Sequence, residues 1–240
     1  MKKKNHDLEV SKIKIKVEKE FIRANYSFLG KRRYTHGSSM LESMLLAFKE
    51  KYSEKHITIL EFKIIKEFKT NSKIYKVKLN NYKLRKIFES KKPNAWLILK
   101  HLNAKYILYI FENKSKIKKT DKNYNSELFV KKIYKINKDF GVQIIDDLNL
   151  INFIRACIES ILQITRKNIL KKINKKIRIR WVKLNDLKIK SFNVSSIKLI
   201  KVKIDNHIKG NKLELIKFAV IMNSEENLNI FYITFAIKYD

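Results

Sequence analysis

The sequence predicts an α+β protein made of two tandem copies of one unit, each an antiparallel sheet wrapped round a single central helix. Three observations lead there. Met40-Leu41-Glu42-Ser43-Met44-Leu45 is echoed by Cys157-Ile158-Glu159-Ser160-Ile161-Leu162, residues 16–21 by 135–140, and residues 74–79 by 199–204, at offsets of 117, 119 and 125. The three matches keep the same order, as a duplication requires. Each half also shows a strand, one long apolar helix and four further extended segments. Between the halves lies a polar, nearly core-free stretch over residues 113–125. The expected units are residues 8–112 and 128–240, with 113–127 as linker.

In the first half, a strand is expected over about 9–22, where residues 12–17 alternate lysine with isoleucine or valine. The helix follows. Ser38 or Ser39 can cap it, Ser39-Met40-Leu41-Glu42 fits a capping box, and Met40, Leu41, Met44, Leu45 and Phe48 form an apolar stripe. Extended segments follow at 57–68, 73–79, 96–102 and 106–111, with a turn at Asn103. In the second half, a strand at 128–138 precedes Asp146 and Asp147, which read as an N-cap pair. The helix runs from about 148 to 170, with Ile151, Ile154, Ile158, Ile161, Leu162 and Thr165 at helical spacing. Strands at 177–184, 197–205, 212–222 and 230–238 complete the copy, with a turn at 224–227. One helix per half is all there is to cover a sheet face, so it must be buried nearly all round. That is the hotdog architecture. A single unit leaves its sheet edge open, and a fused duplication closes it within one chain.

Composition narrows the class. The chain has 240 residues, 45% of them hydrophobic, so charge-driven disorder is excluded for most of it. One cysteine, Cys157, excludes an internal disulfide framework and a Cys-rich zinc site, and is expected to be a buried small hydrophobe. His6, His56, His101 and His207 lack metal-ligand spacing, so no metal is expected. Four glycines leave little room for a phosphate loop or a dinucleotide fingerprint. No apolar run reaches the roughly 18–20 residues of a membrane span, and Asp7, Glu9 and Ser11 interrupt any signal peptide begun by Met1-Lys2-Lys3-Lys4. A cytoplasmic protein is expected. Lys+Arg 55 against Asp+Glu 23 makes a net charge of +32. That charge has two readings: solvated sheet faces in a proteome of AT-rich codon usage, or a polyanion surface. The second makes the alternative function an RNA-binding structural protein, such as a ribosomal component of an AT-rich organelle or reduced genome. Either way the field favours acidic partners, acyl carrier proteins included.

The stretch Ile133-Tyr134-Lys135-Ile136-Asn137-Lys138-Asp139-Phe140-Gly141-Val142-Gln143-Ile144-Ile145-Asp146 and the helix Ile158-Glu159-Ser160-Ile161-Leu162-Gln163 carry a resemblance. Over residues 9–238 the chain resembles the A-factor biosynthesis (AfsA-type) family of tandem hotdog proteins. Tyr134 stands where that family usually has histidine, and its His- and Pro-rich approach to the helix is missing. The resemblance implies an acyl thioester substrate on acyl carrier protein or coenzyme A, with no cofactor beyond the substrate's own phosphopantetheine. It implies transfer of a β-ketoacyl group to a glycerone-phosphate hydroxyl, while other hotdogs hydrolyse or dehydrate acyl thioesters. The partner is then an acidic carrier protein or a CoA thioester, and the two halves form an intrachain pseudo-dimer.

Tyr34-Thr35-His36-Gly37-Ser38-Ser39, just before the first helix, is the sharpest local signal. A helix N-terminus offers unpaired N–H groups and a positive dipole end that can hold a developing oxyanion. There Gly37 would let a thioester approach, Ser38 and Ser39 would line it, and His36 could orient the substrate or move a proton. A plain turn before a helix reads equally well from the same residues. Glu42 is either a base or the capping-box partner. Glu159, at the matching position of the second helix, is either a pocket carboxylate or one paired within its helix, for example with Arg155. Lys31, Arg32 and Arg33 could receive a phosphopantetheine phosphate or the acidic helix of a carrier protein, or form a solvated loop.

Overall fold

The structure is a computed structural model that describes residues 13–29, 35–50, 52, 57–117, 119–121, 126–146, 148–170, 177–188, 197–224 and 227–239. The first half runs β1 (Lys14–Val17), β2 (Ile22–Asn25), β3 (Ser27–Leu29), α1 (Gly37–Lys49), β4 (Ile57–Ile64), β5 (Thr70–Lys78), α2 (Tyr82–Ser90), β6 (Ala95–His101) and β7 (Ala104–Lys116). The rest runs β8 (Lys119–Asp121), β9 (Val130–Ile136), β10 (Asp139–Ile144), α3 (Leu150–Ile164), β11 (Ile177–Lys188), β12 (Leu199–Ile208), β13 (Leu213–Ser224) and β14 (Asn227–Tyr239).

The result is the tandem hotdog that the sequence predicts. Twelve strands make one sheet in the order β1-β2-β5-β7-β6-β4-β11-β14-β13-β12-β10-β9, six from each half. The halves join edge to edge through antiparallel β4 and β11, where Leu184 faces Phe62 and Asn185 faces Glu61. The seam removes the exposed edge that each half would otherwise present. The sheet curls round α1 and α3, which explains their composition. Ten of the thirteen residues of α1 and thirteen of the fifteen of α3 are buried. A helix with no solvent face carries apolar residues on every side. Together with Phe62, Leu97, Phe218, Phe235 and the other inward residues of the strands they form one continuous core.

Several expectations need correcting. Each half opens on a hairpin, β1–β2 or β9–β10, instead of a single strand. The second is closed by the two residues Asn137 and Lys138, with Asn137 at φ 52°, a left-handed conformation that Asn tolerates. The polar stretch 113–127 carries regular structure: β7 runs on to Lys116, and β8 pairs in parallel with β3. The helix α2 was not foreseen. Asn81 caps it by accepting the Leu84 N–H at 3.1 Å. Phe88 then packs against Tyr75, Tyr109 and Phe111 on the sheet face opposite α1. Leu84, Ile87 and Phe88 stand at helical spacing, but the helix is only nine residues long and buries none of them fully.

The halves also differ in strand order. In the first, β5 lies beside β7, and the connection that holds α2 carries the chain past β7 to β6. In the second, β12 turns straight into its neighbour β13, so β13 and β14 occupy the slots that β7 and β6 hold opposite them. Connection length is the cause. The four residues 209–212 can only close a hairpin, whereas the sixteen residues 79–94 can cross a strand.

Candidate functional site

The residues before α1 are set by a cap the sequence did not suggest. Ser38 and Ser39 lie inside the helix, and the N-cap is His36, at φ −69° and ψ 143°. Its Nδ1 accepts the Ser38 N–H at 3.4 Å and lies 2.7 Å from Ser38 Oγ. The capping box at Ser39 and Glu42 is therefore not formed. Gly37, the first helical residue, has a packing reason: a Cβ there would come within 2.5 Å of Ile64 Cδ1 and 2.8 Å of Trp181 Cε3. Ser39 is buried in α1, and its Oγ has no partner among the described residues.

Glu42 turns instead to the second half. Arg155, on α3, donates from Nη2 to Glu42 Oε2 at 3.1 Å, from Nη1 to Asn152 Oδ1 at 2.9 Å and from Nε to Ser38 Oγ at 3.0 Å. Arg155 is 2% exposed and Glu42 7%. Two buried charges this close are viable because each answers the other and the remaining donors find acceptors. The offset of 117 makes Arg155 the counterpart of Ser38 and Glu159 the counterpart of Glu42. In a two-fold arrangement, residues near the axis meet their own copies, and Ser38 and Arg155 do so. Sequence reasoning paired Arg155 only with its own helix; nothing local points across 113 residues to Glu42.

Glu159 is 5% exposed and accepts from Gln163 Nε2, one turn on, at 3.4 Å. Asp146 does not cap α3, and Asp147 lies outside the described residues. Asp146 lies exposed beside Lys131 at 3.0 Å and Lys198 at 3.8 Å, while Asn149 caps the helix by accepting the Asn152 N–H at 2.9 Å. Cys157 is fully buried, and burial pushes its thiol far up from the ordinary value. Lys31, Arg32 and Arg33 lie outside the described residues.

A cavity of about 60 Å³ opens where the halves meet. His36, Gly37, Ile64 and Glu67 come from the first half; Ile158 and Leu162 of α3, Ile179, Arg180 and Trp181 of β11, and Phe235 come from the second. Glu159 follows Ile158 on the next face of α3. Arg180 and Glu67, 3.3 Å apart, form an ion pair in the lining. Beside it Lys183 ties the seam to Glu61 at 2.7 Å, and within the first half the Trp96 indole donates to the same carboxylate at 2.7 Å. Burial alone would raise the Glu61 carboxyl, but the Lys183 and Trp96 donors outweigh it and hold it below the usual carboxylate range. Tyr134 lies elsewhere, over Gly141 on the β9–β10 hairpin. It borders a separate cleft of about 250 Å³ with Phe140, Gln163 and Lys167.

No family model matches the chain, and no curated protein matches it. Solved structures do. The dehydratase domain from the CurJ module of curacin polyketide synthase superposes with a TM-score of 0.54 at 10% identity, over 97% of each chain. The tesB protein of Mycobacterium avium subs paratuberculosis does so with a TM-score of 0.52 at 6% identity, over 95% of this chain and 96% of that one. At such identities the likeness extends to the fold. It covers both halves, so the tandem arrangement itself is shared. Among the described residues no helix is long and apolar enough to cross a membrane.

Proposed function

We propose that the protein binds and transforms an acyl thioester, carried on coenzyme A or on the phosphopantetheine of an acyl carrier protein, at the cavity between its halves. One observation carries the reading: His36 and the N-terminus of α1 stand on a cavity whose other walls are mostly apolar residues of the second half. The first turn of a helix presents N–H groups without intrahelical acceptors, together with a positive dipole end, and both favour charge building on a carbonyl oxygen. Ile158, Leu162 and Phe235 suit an acyl group. The carboxylate in the lining is Glu67, paired with Arg180; Glu159, buried on α3, is not among the lining residues. The fold shared with a dehydratase domain and a tesB protein supports a thioester substrate. The likeness of residues 133–146 to AfsA-type proteins supports a finer form, acyl transfer to a hydroxyl such as that of glycerone phosphate. The RNA-binding alternative draws on net charge alone.

The test titrates the purified protein with short acyl-CoAs and acyl carrier protein thioesters, reading tryptophan fluorescence in a Trp96→Phe variant that leaves Trp181 as its one indole. Thiol release, loss of water from a 3-hydroxyacyl thioester, and acyl transfer to glycerone phosphate are followed separately. Saturable binding or turnover, lost in His36→Ala, is expected. A folded protein that neither binds nor turns over any of these thioesters overturns the reading.

A further inference from the structure

We infer that Arg155, supplied by the second half, sets the tautomer of His36 in the first half by acting through Ser38. His36 then carries its proton on Nε2. The use of that proton on a thioester rests on the function proposed above; its position follows from the contacts alone.

The direction of each hydrogen bond is forced. A guanidinium only donates, so the 3.0 Å contact between Arg155 Nε and Ser38 Oγ makes the serine oxygen an acceptor there. A hydroxyl has one proton to give. Among the described residues, the side-chain neighbours of Ser38 Oγ are Arg155 Nε and His36 Nδ1, so that proton faces Nδ1 across 2.7 Å. The Ser38 backbone N–H, which also only donates, points at the same nitrogen. Nδ1 is therefore an acceptor, and the neutral ring holds its hydrogen on Nε2, at the edge away from Ser38.

Arg155 is built for this. Its Nη1 is held by Asn152 and its Nη2 by Glu42, and the side chain is buried, so the fork has one orientation and Nε one target. A lysine could not hold three partners in one plane. The chemical consequence is specific. The resting His36 offers an N–H to a carbonyl oxygen as charge builds on it, and serves as donor and not as base. Proton removal from substrate or water then falls to another group. Arg155 and Ser38 are positioning residues, and the site is incomplete without the second half.

The test is made on the full chain without ligand. Long-range ¹H–¹⁵N correlation spectra of the histidine rings at neutral pH, with His36 assigned by its loss in His36→Gln, report which nitrogen bears the proton. The wild-type protein is expected to show a pyridine-type Nδ1 and a pyrrole-type Nε2. Ser38→Ala and Arg155→Lys are expected to give a mixture of tautomers, because the backbone contact that remains is long, 3.4 Å against 2.7 Å for the hydroxyl, and Ser38→Thr, which keeps the hydroxyl, to restore the wild-type pattern. Should Arg155→Lys fail to fold, the two Ser38 variants carry the test. A protonated Nδ1 in the neutral wild-type ring, or an unchanged pattern in folded Ser38→Ala, overturns the inference whatever the activity. The expected tautomer in a protein that handles no thioester sinks the functional reading and leaves this one standing. With a substrate in hand, Ser38→Ala is expected to lower kcat roughly 10–100-fold with KM little changed, and Ser38→Thr to recover it, as for groups that orient a functional imidazole.

Discussion

In the first half, positions 36, 37 and 38 are His, Gly and Ser; in the second, the residues 117 positions on are Phe153, Ile154 and Arg155. The difference decides where the site can be. α1 begins at Gly37 with His36 as its cap, so a helix end and an imidazole reach the seam cavity. α3 begins about one turn earlier in the same register, at Leu150, so Phe153 and Ile154 are already inside the helix and buried in the core. Two halves thus make one site of this kind. Near the axis, identical residues would have met: two arginines would repel, and two serines would leave Glu42 without the Arg155 guanidinium. Duplication supplied the symmetric frame, and divergence at a few facing positions made it asymmetric enough to hold a charge and a directed proton.

Five measurements break or sharpen that comparison. Arg155→Met removes the buried cation and is expected to cost about 3–5 kcal/mol in urea unfolding, because Glu42 stays behind. Arg155→Met combined with Glu42→Leu is expected to recover much of the loss. If the double variant is no better than the single one, the ion pair is not what couples the helices. Next, His36→Phe makes the first half resemble the second. It is expected to lower thioester turnover about 100-fold and, by removing the cap of α1, to cost about 1 kcal/mol in stability. The reverse change, Phe153→His, is expected to cost about 1–3 kcal/mol for a buried polar ring and to bring no activity. A smaller effect is expected from Gly37→Ala, whose methyl meets Ile64 and Trp181; overpacking costs about 1–3 kcal/mol, toward the lower end, and weakens binding at the cavity.

The smallest effect concerns the seam itself. The folded Glu61 carboxyl lies below its unfolded value, so its pairing is fully present above pH about 4.3 and is lost as pH falls through the lowered folded value. Unfolding midpoints compared between neutral and acid pH are expected to fall more in the wild-type protein than in Glu61→Gln, by about 1 kcal/mol or less. Equal slopes would remove Glu61 from the seam's pH response.

Most of the fold was legible because burial writes itself as periodicity. The eight strands that follow the helices, and both helices, lie where alternation and helical spacing put them. The duplicated helix sequence showed which residues share a position. Local rules failed where the deciding partner is far along the chain. Glu42 fits a capping box three residues from Ser39, yet it pairs with Arg155 of the other helix. Asp146 precedes α3 as a cap should, yet Asn149 takes that role and Asp146 pairs with lysines on β9 and beside β12. α2 escaped because it is short and packs on the sheet through Phe88, while Tyr82, Leu84 and Ile87 stay exposed. His36, Gly37 and Glu159 were visible as candidates. That the first two share a cavity with β11 and α3 was not.

By itself, then, the sequence determined the duplicated unit, the near-total burial of its helix and the sheet that encloses it. These follow from the chemistry of neighbours three, four or two residues apart. Only the tertiary structure decided the strand order of each half, the meeting of Ser38 with Arg155 and the placing of His36 at the seam. Those depend on how long each connection is and on which surfaces the joined edges bring face to face.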